Sequence, residues 1–307
     1  MATTLNNDFI LFSTGQTIGA SSSATMKNRI INGGMVIAQR GTSFTSPSSG
    51  SYTLDRWAVN WVGAAPASVA QVSGPIGFKN ALQITGSSSN TAVQLIQRIE
   101  SYNCSDLSGQ TITIQANISV STPQTVSWQL YYVNSQDNWA GGATLITSGT
   151  WSVTTTATVF SATITGLPAG AVNGLEIAIY PNNGGPFTSG TFTITGTQLE
   201  VGTVASSFDY RDYGRELAMC QRYYQTISDF LVGGQTAGGT MYADMVYPVL
   251  MRASPTGTVV GSVAYANSAS AYAINSTTSS RFRISMTLPA NSYAYGYGAL
   301  LTFAAEL

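Results

Sequence analysis

The chain has 307 residues, 44% hydrophobic and only 8% charged, with 12 Lys plus Arg, 13 Asp plus Glu and no histidine. A formal net charge of −1 leaves no electrostatic footprint for nucleic acid or an anionic membrane, and no run of about 18 apolar residues exists to cross a bilayer as a helix. The lack of histidine removes the usual general base, the serine and cysteine triads and the commonest metal ligand together.

Residues 1–27 stand apart from the rest of the chain. An apolar Phe9 to Phe12 leads into a Ser/Thr-rich run ending at Thr25, so the segment reads as a tail, a linker or a docking peptide. The opening MATTLNNDFILFSTGQ lacks the basic start and long apolar core of a secretory signal, and synthesis and assembly in a cytoplasm are expected.

From Asn28 to about Val204 apolar and polar residues alternate between turn signals, with the period of two of half-buried strands. The segments are Ile30–Ala38, Trp57–Val62, Leu82–Thr85, Val93–Ile99, Thr111–Ser121, Thr125–Val133, Ala157–Leu167, Gly174–Pro181 and Gly190–Gly202. Roughly eight to ten strands suffice for a two-sheet jelly roll, assigned to 28–208. Trp57, Trp61 and Trp128 sit among apolar partners and are expected in its core. Between Leu107 and Leu175 only Asp137 is charged, so the outer faces are covered by Thr, Ser, Asn and Gln. Edges without charge invite neighbours, which suits self-association or a large assembly.

Six of the chain's charges, Asp209, Arg211, Asp212, Arg215, Glu216 and Arg222, crowd into SFDYRDYGRELAMCQRYYQ, Ser207 to Gln225. After Gly214, Leu217, Met219 or Cys220, Tyr223 or Tyr224 and Ile227 follow helical spacing, so a linking helix is placed over 209–230. Its charges would either orient two β units, without supplying much stability, or form a solvated helix face. Further strand-like runs, Thr240–Met251, Thr258–Ala266, Ser270–Ile274, Arg281–Leu288 and from Tyr293 on, predict a second, smaller antiparallel β-sandwich over 231–307. The fold class is all-β, with one helix between the two sandwiches.

Little here points to catalysis. Paired glycosidase carboxylates need facing walls, and Asp55, Glu100, Asp106, Asp137, Glu176 and Glu200 are scattered among strands. Cys104 and Cys220 match no metal or redox spacing and are expected as free, buried thiols. GGQTAGG and NNGG are turns, since no GK[ST] follows either. Sugar recognition needs aromatic faces ringed by amides and hydroxyls. YYVNSQDNWAGG offers Tyr131 and a loop with Asp137, Asn138 and Trp139; against this, Trp139 can fold back to cap the sandwich. SYAYGYG offers Tyr293, Tyr295 and Tyr297 on one strand face, with packing between subunits as the competing use.

GTQLEVGTVASSFDYRDYGRELAMCQRYYQ resembles the junction of bacteriophage tail-fibre and receptor-binding proteins, where a carbohydrate-binding-module-like jelly roll meets a short helix. NRIINGGMVIAQRGTSFT with SYTLDRW, and YPVLMRASPTGTV, are similar to other parts of that architecture, so the likeness covers nearly everything from Asn28 on. Arg215 departs from the acidic residue usual there. The resemblance implies a virion protein of a tailed phage: a non-enzymatic homotrimeric tail fibre that binds host surface polysaccharide and is attached to tail or baseplate proteins through residues 1–27. Leu217, Cys220 and Tyr224 are then candidates for the trimer axis. A structural calcium ion is common in such modules, but no D-x-[DN]-x-[DN]-G loop is present. The alternatives are a head or baseplate decoration without receptor affinity and a polysaccharide-degrading tailspike.

Overall fold

The computed structural model describes residues 26–228, 239–260, 273–287 and 300–307 in full, and the backbone of five further short strands. Of these, β1 (Phe9–Leu11) and β2 (Thr17–Gly19) pair antiparallel. The first unit contains β3 (Ser43–Thr45), β4 (Ser51–Tyr52), β5 (Ala58–Gly63), β6 (Ser68–Ser73), β7 (Asn80–Thr85) and β8 (Asn90–Glu100). It is completed by β9 (Ile112–Val120), β10 (Gln124–Val133), β11 (Ala143–Val153), β12 (Thr158–Ile164), β13 (Gly174–Tyr180) and β14 (Thr191–Val201).

These twelve strands form two antiparallel six-stranded sheets, ordered β11-β10-β13-β8-β5-β4 and β12-β9-β14-β7-β6-β3, packed face to face as a jelly roll. Alternation decides which side is buried. In β10, Val126, Trp128 and Leu130 enter the core while Thr125, Ser127 and Gln129 face out. A slip of one residue would exchange the two sets, so the buried face pins the register. Trp57 and Trp128 lie in this core as expected and Trp61 packs at its margin.

Two expectations change. Ile30–Ala38 is irregular, not a strand: Asn32 and Met35 have φ of 57° and 58°, and the Asn32 side chain bonds Ile37 and Asp55 backbone in place of a ladder. β11, whose alternation is carried by Thr, Ser and Gly in ATLITSGTWSV, escaped the sequence pattern.

The helix α1 covers only Tyr213–Gln221. Asp212 caps it by accepting from the Arg215 amide at 2.9 Å. Tyr224–Ile227, placed in the helix by apolar spacing, is instead strand β15, paired with Leu301–Ala304. Aromatic and β-branched Tyr224, Thr226 and Ile227 suit a strand, and the ladder supplies the backbone partners that a continued helix would have supplied.

The second unit continues with β16 (Leu231–Gly234), β17 (Thr240–Val246), β18 (Thr256–Val260), β19 (Ala264–Ala266), β20 (Ala273–Thr277), β21 (Arg281–Thr287), β22 (Ala294–Tyr297) and β23 (Leu300–Ala304). Its three-stranded sheets are β15-β23-β18, β16-β22-β19 and β17-β21-β20. Tyr247, Phe282 and Phe303 stack at its centre, with ring centroids 4.4–5.2 Å apart.

The crowded charges have a place in this architecture. Glu216, buried on α1, accepts the Asn32 backbone N–H and faces Arg211, which also donates to the carbonyls of Ile30 and Asn28. Arg222 pairs with Glu100 of the jelly roll at 3.0 Å, while its carbonyl accepts from Arg252 of the second unit at 2.7 Å. A second ionic cluster went unread in the sequence: Arg40 and Arg56 of the jelly roll both pair with Glu306.

Candidate functional site

The outer face of the first sheet carries the most coherent polar and aromatic surface. Gln129, Ala178, Ile96, Ala58 and Tyr52 form one cross-strand row from β10 to β4. Tyr131 and Tyr180 pack beside its small residues. Both phenols donate to the side-chain carbonyl of Gln129, Tyr180 at 2.7 Å, so one amide orients two rings. That use of its oxygen leaves the Gln129 NH₂ without a hydrogen-bond partner among the described residues. Burial, with Tyr131 and Glu176 nearby, raises the Tyr180 pKa, so the hydroxyl stays a neutral donor.

Beside Tyr180, Asn60 and Gln94 are directly paired across β5 and β8. Their amides make no hydrogen bond within the described residues. Together with Tyr180 they line a hollow of about 140 Å³. An aromatic wall with three amide groups is the combination that packs on a pyranose C–H face and satisfies its hydroxyls. The other end of this face is closed. Arg98 donates to Glu176 at 2.8 Å and to the Leu307 carbonyl at 2.6 Å, and the Tyr52 hydroxyl donates to the same carbonyl at 3.2 Å.

Of the residues singled out in YYVNSQDNWAGG, Tyr131 belongs to this face. Asp137 does not present a free carboxylate: it accepts from the Ser101 amide and hydroxyl, each at 2.8 Å, and ties the loop to the end of β8. Trp139 is half-buried with the Arg98 guanidinium 4.7 Å from its ring centre, so it folds back on the sandwich; Asn138 is exposed beside it. Gln129, Tyr180, Asn60 and Gln94 were missed because outward positions on neighbouring strands meet only once the register is known. Tyr293 lies outside the described residues. Tyr295 and Tyr297 occupy alternate positions of β22, opposite Gly233 and Leu231, and their side chains lie outside the described residues.

The apolar stripe of α1 is spent inside the chain. Cys220 is 0% exposed, clustered with Ile31, Ile37 and Tyr223, and Leu217 packs on the same cluster. Tyr224 lies under the Arg40 guanidinium, 3.6 Å from the ring centre. A helix only nine residues long faces the jelly roll with these residues, so Cys220 is not at a surface where copies could meet.

The six carboxylates considered for catalysis each have another role. Asp55 accepts from Gln39, Glu100 pairs with Arg222, Asp106 with Arg29 and Glu176 with Arg98. Asp137 holds Ser101, and Glu200 accepts from Ser206 at 2.6 Å. Among the described residues no three His, Cys, Asp or Glu side chains gather as a metal site.

No family model and no curated protein matches the chain. Among solved structures it is similar to the carbohydrate-binding module CBM4, at 18% identity over 56% of this chain and 98% of that one, with a TM-score of 0.36. It is also similar to the enzymatically active domain of bacteriophage CBA120 tailspike protein 4, at 15% identity over 52% of this chain and 21% of that one, with a TM-score of 0.37. A third is TmCBM61 in complex with β-1,4-galactotriose, at 12% identity over 57% and 99%, with a TM-score of 0.35.

Proposed function

We propose that the chain is a glycan-binding protein that works without catalysis, carried on the virion of a tailed phage as a short trimeric tail fibre. The observation that carries the binding reading is the outer face of the first sheet, where Gln129 orients Tyr131 and Tyr180 beside the amides of Asn60 and Gln94. The virion assignment rests on the likeness of the GTQLEVG and YGRELAMCQRYYQ stretches to phage fibre junctions. Self-association then uses surfaces other than the α1 stripe. The ligand is host surface polysaccharide, held by aromatic stacking and neutral hydrogen bonds.

The test is an array of bacterial surface polysaccharides probed with the full chain and with Tyr180→Ala. Losing the ring should weaken binding about tenfold or more, while the melting temperature stays within a few degrees, since one exposed-side stacking contact is worth about 1.5 kcal/mol. Wild-type binding by Tyr180→Ala refutes the site. No binding to any glycan, with antibody labelling of the virion head or baseplate, supports a decoration protein instead; release of reducing sugar supports the spike.

A further inference from the structure

The two sheets also part along one edge. β11 and β12 are the terminal strands of their sheets, and between them opens a cleft of about 740 Å³ whose lining contains no charged residue. Trp128 and Tyr132 lie along it, Thr147 of β11 and Thr165, just after β12, line its two sides, and Ser148 and Leu145, the latter 46% exposed, stand at its rim. Ser148 and Leu145 lie opposite Gln129 and Tyr131 in the β10–β11 ladder and so continue the outer face to this rim, whereas Trp128, Tyr132, Thr147 and Thr165 do not belong to that face.

Thr144 and Thr163 of the lining are satisfied, by Asn134 and by the Thr203 carbonyl, but other polar groups of this cleft are unused. The Trp128 indole N–H and the hydroxyls of Tyr132, Thr147, Ser148 and Thr165 make no hydrogen bond within the described residues. Gly149, opposite Trp128 in the ladder, is what lets the indole reach this edge: a Cβ there would lie 2.5 Å from Cζ2 and 3.0 Å from Nε1. A purely apolar ligand would leave these donors unpaired, at a desolvation cost. An anionic ligand would find no cation. A ligand with one C–H face and many neutral hydroxyls answers both the aromatic rings and the hydroxyls.

We propose that this edge cleft is a second, separate binding site for a neutral oligosaccharide. It shares the class of ligand with the outer-face reading but none of its residues. Two sites on one chain would raise the effective affinity for a polysaccharide long enough to engage both.

The chain has five tryptophans, so ¹⁵N-indole labelling of the full protein gives a spectrum simple enough to follow Trp128, assigned through Trp128→Phe. The probes are short malto-, xylo- and β-1,4-galacto-oligosaccharides, with oligogalacturonate as the acidic counterpart. A neutral probe should move the Trp128 signal and the acidic one should not. The shift should survive Tyr180→Ala, which removes only the outer-face ring, and should disappear in Thr165→Trp, which fills the cleft from an exposed position on the other sheet. In the Tyr180→Ala background, Trp128→Phe should weaken calorimetric binding about fivefold through loss of one donor. A Trp128 signal unmoved by every neutral probe overturns the proposal, as does a shift that vanishes in Tyr180→Ala, because it would then report on the outer face. An equal response to oligogalacturonate also overturns it. Retained glycan binding without any Trp128 shift leaves the outer-face reading standing and removes only this one.

Discussion

Replacing Glu306 with Gln should destabilise the seam between the two units more than any exposed substitution. Arg56 lies in the first unit with its side chain 1% exposed and its backbone at φ 70°. Burial works against its charge, but Glu306, with Tyr223 and Tyr52, outweighs that and raises its pKa. Arg40, 13% exposed, donates to the same carboxylate at 2.9 Å. Glu306→Gln leaves two largely buried guanidinium groups, of which Arg40 keeps Asp55 at 3.9 Å and Arg56 loses its ion-pair partner. Removing one partner of a buried pair costs about 3–5 kcal/mol. The lower end applies, because the amide still accepts a hydrogen bond and Arg56 keeps the Arg98 carbonyl at 2.6 Å and the Tyr223 ring at 3.5 Å. Urea unfolding followed by fluorescence and by far-ultraviolet dichroism reads the loss as a lower midpoint, compared directly because two units need not unfold together. Arg56→Met with Glu306→Leu should recover most of it, since a packed apolar pair carries no stranded charge. A Glu306→Gln midpoint equal to wild type, or a double variant weaker than the two single losses combined, would refute the reasoning.

The native thiols should resist alkylation at pH 8. Burial pushes the Cys104 thiol up to about 12 and the Cys220 thiol well above its ordinary value, so both remain protonated and enclosed; iodoacetamide labelling read by mass spectrometry should appear only in denaturant, and fast native labelling of Cys220 would contradict its place under α1. Acid should release one specific contribution: two Arg29 hydrogen bonds, at 2.6 and 2.8 Å, hold the Asp106 carboxyl below its ordinary pKa of 3.8. The pair's contribution is therefore complete above that ordinary value and is lost as pH falls through the depressed one. The carboxylate is largely exposed, so Asp106→Asn should cost at most about 1 kcal/mol at pH 7 and progressively less as pH falls through the depressed pKa, measured by thermal unfolding; a cost independent of pH would rule the ion pair out as its source.

The backbone architecture was largely legible from local patterning. Long, alternating β9, β10, β13 and β14 announced themselves because a two-residue period with one apolar face has few other solutions. The edge strand β11, with Thr, Ser and Gly on a face that needs little burial, gave too weak a contrast. The end of α1 was misjudged because Tyr223, Tyr224 and Ile227 satisfy a helical stripe and a short strand equally well; the pairing with Leu301–Ala304, far away in sequence, selected the strand. The same distance hid Glu306 from Arg40 and Arg56.

Composition by itself determined a near-neutral, histidine-free chain whose polar faces are hydroxyls and amides, and the period of two in its sequence determined an all-β fold. Only the tertiary structure decided which of those groups act together. Side chains on one face of a sheet become neighbours through ladder register, as Gln129 does with Tyr180, and register is a long-range property that no local window contains. The fold likewise removed candidates: Cys220, Asp137 and Trp139 were spent on packing, a hydrogen bond and a cation because their own chain reached them first.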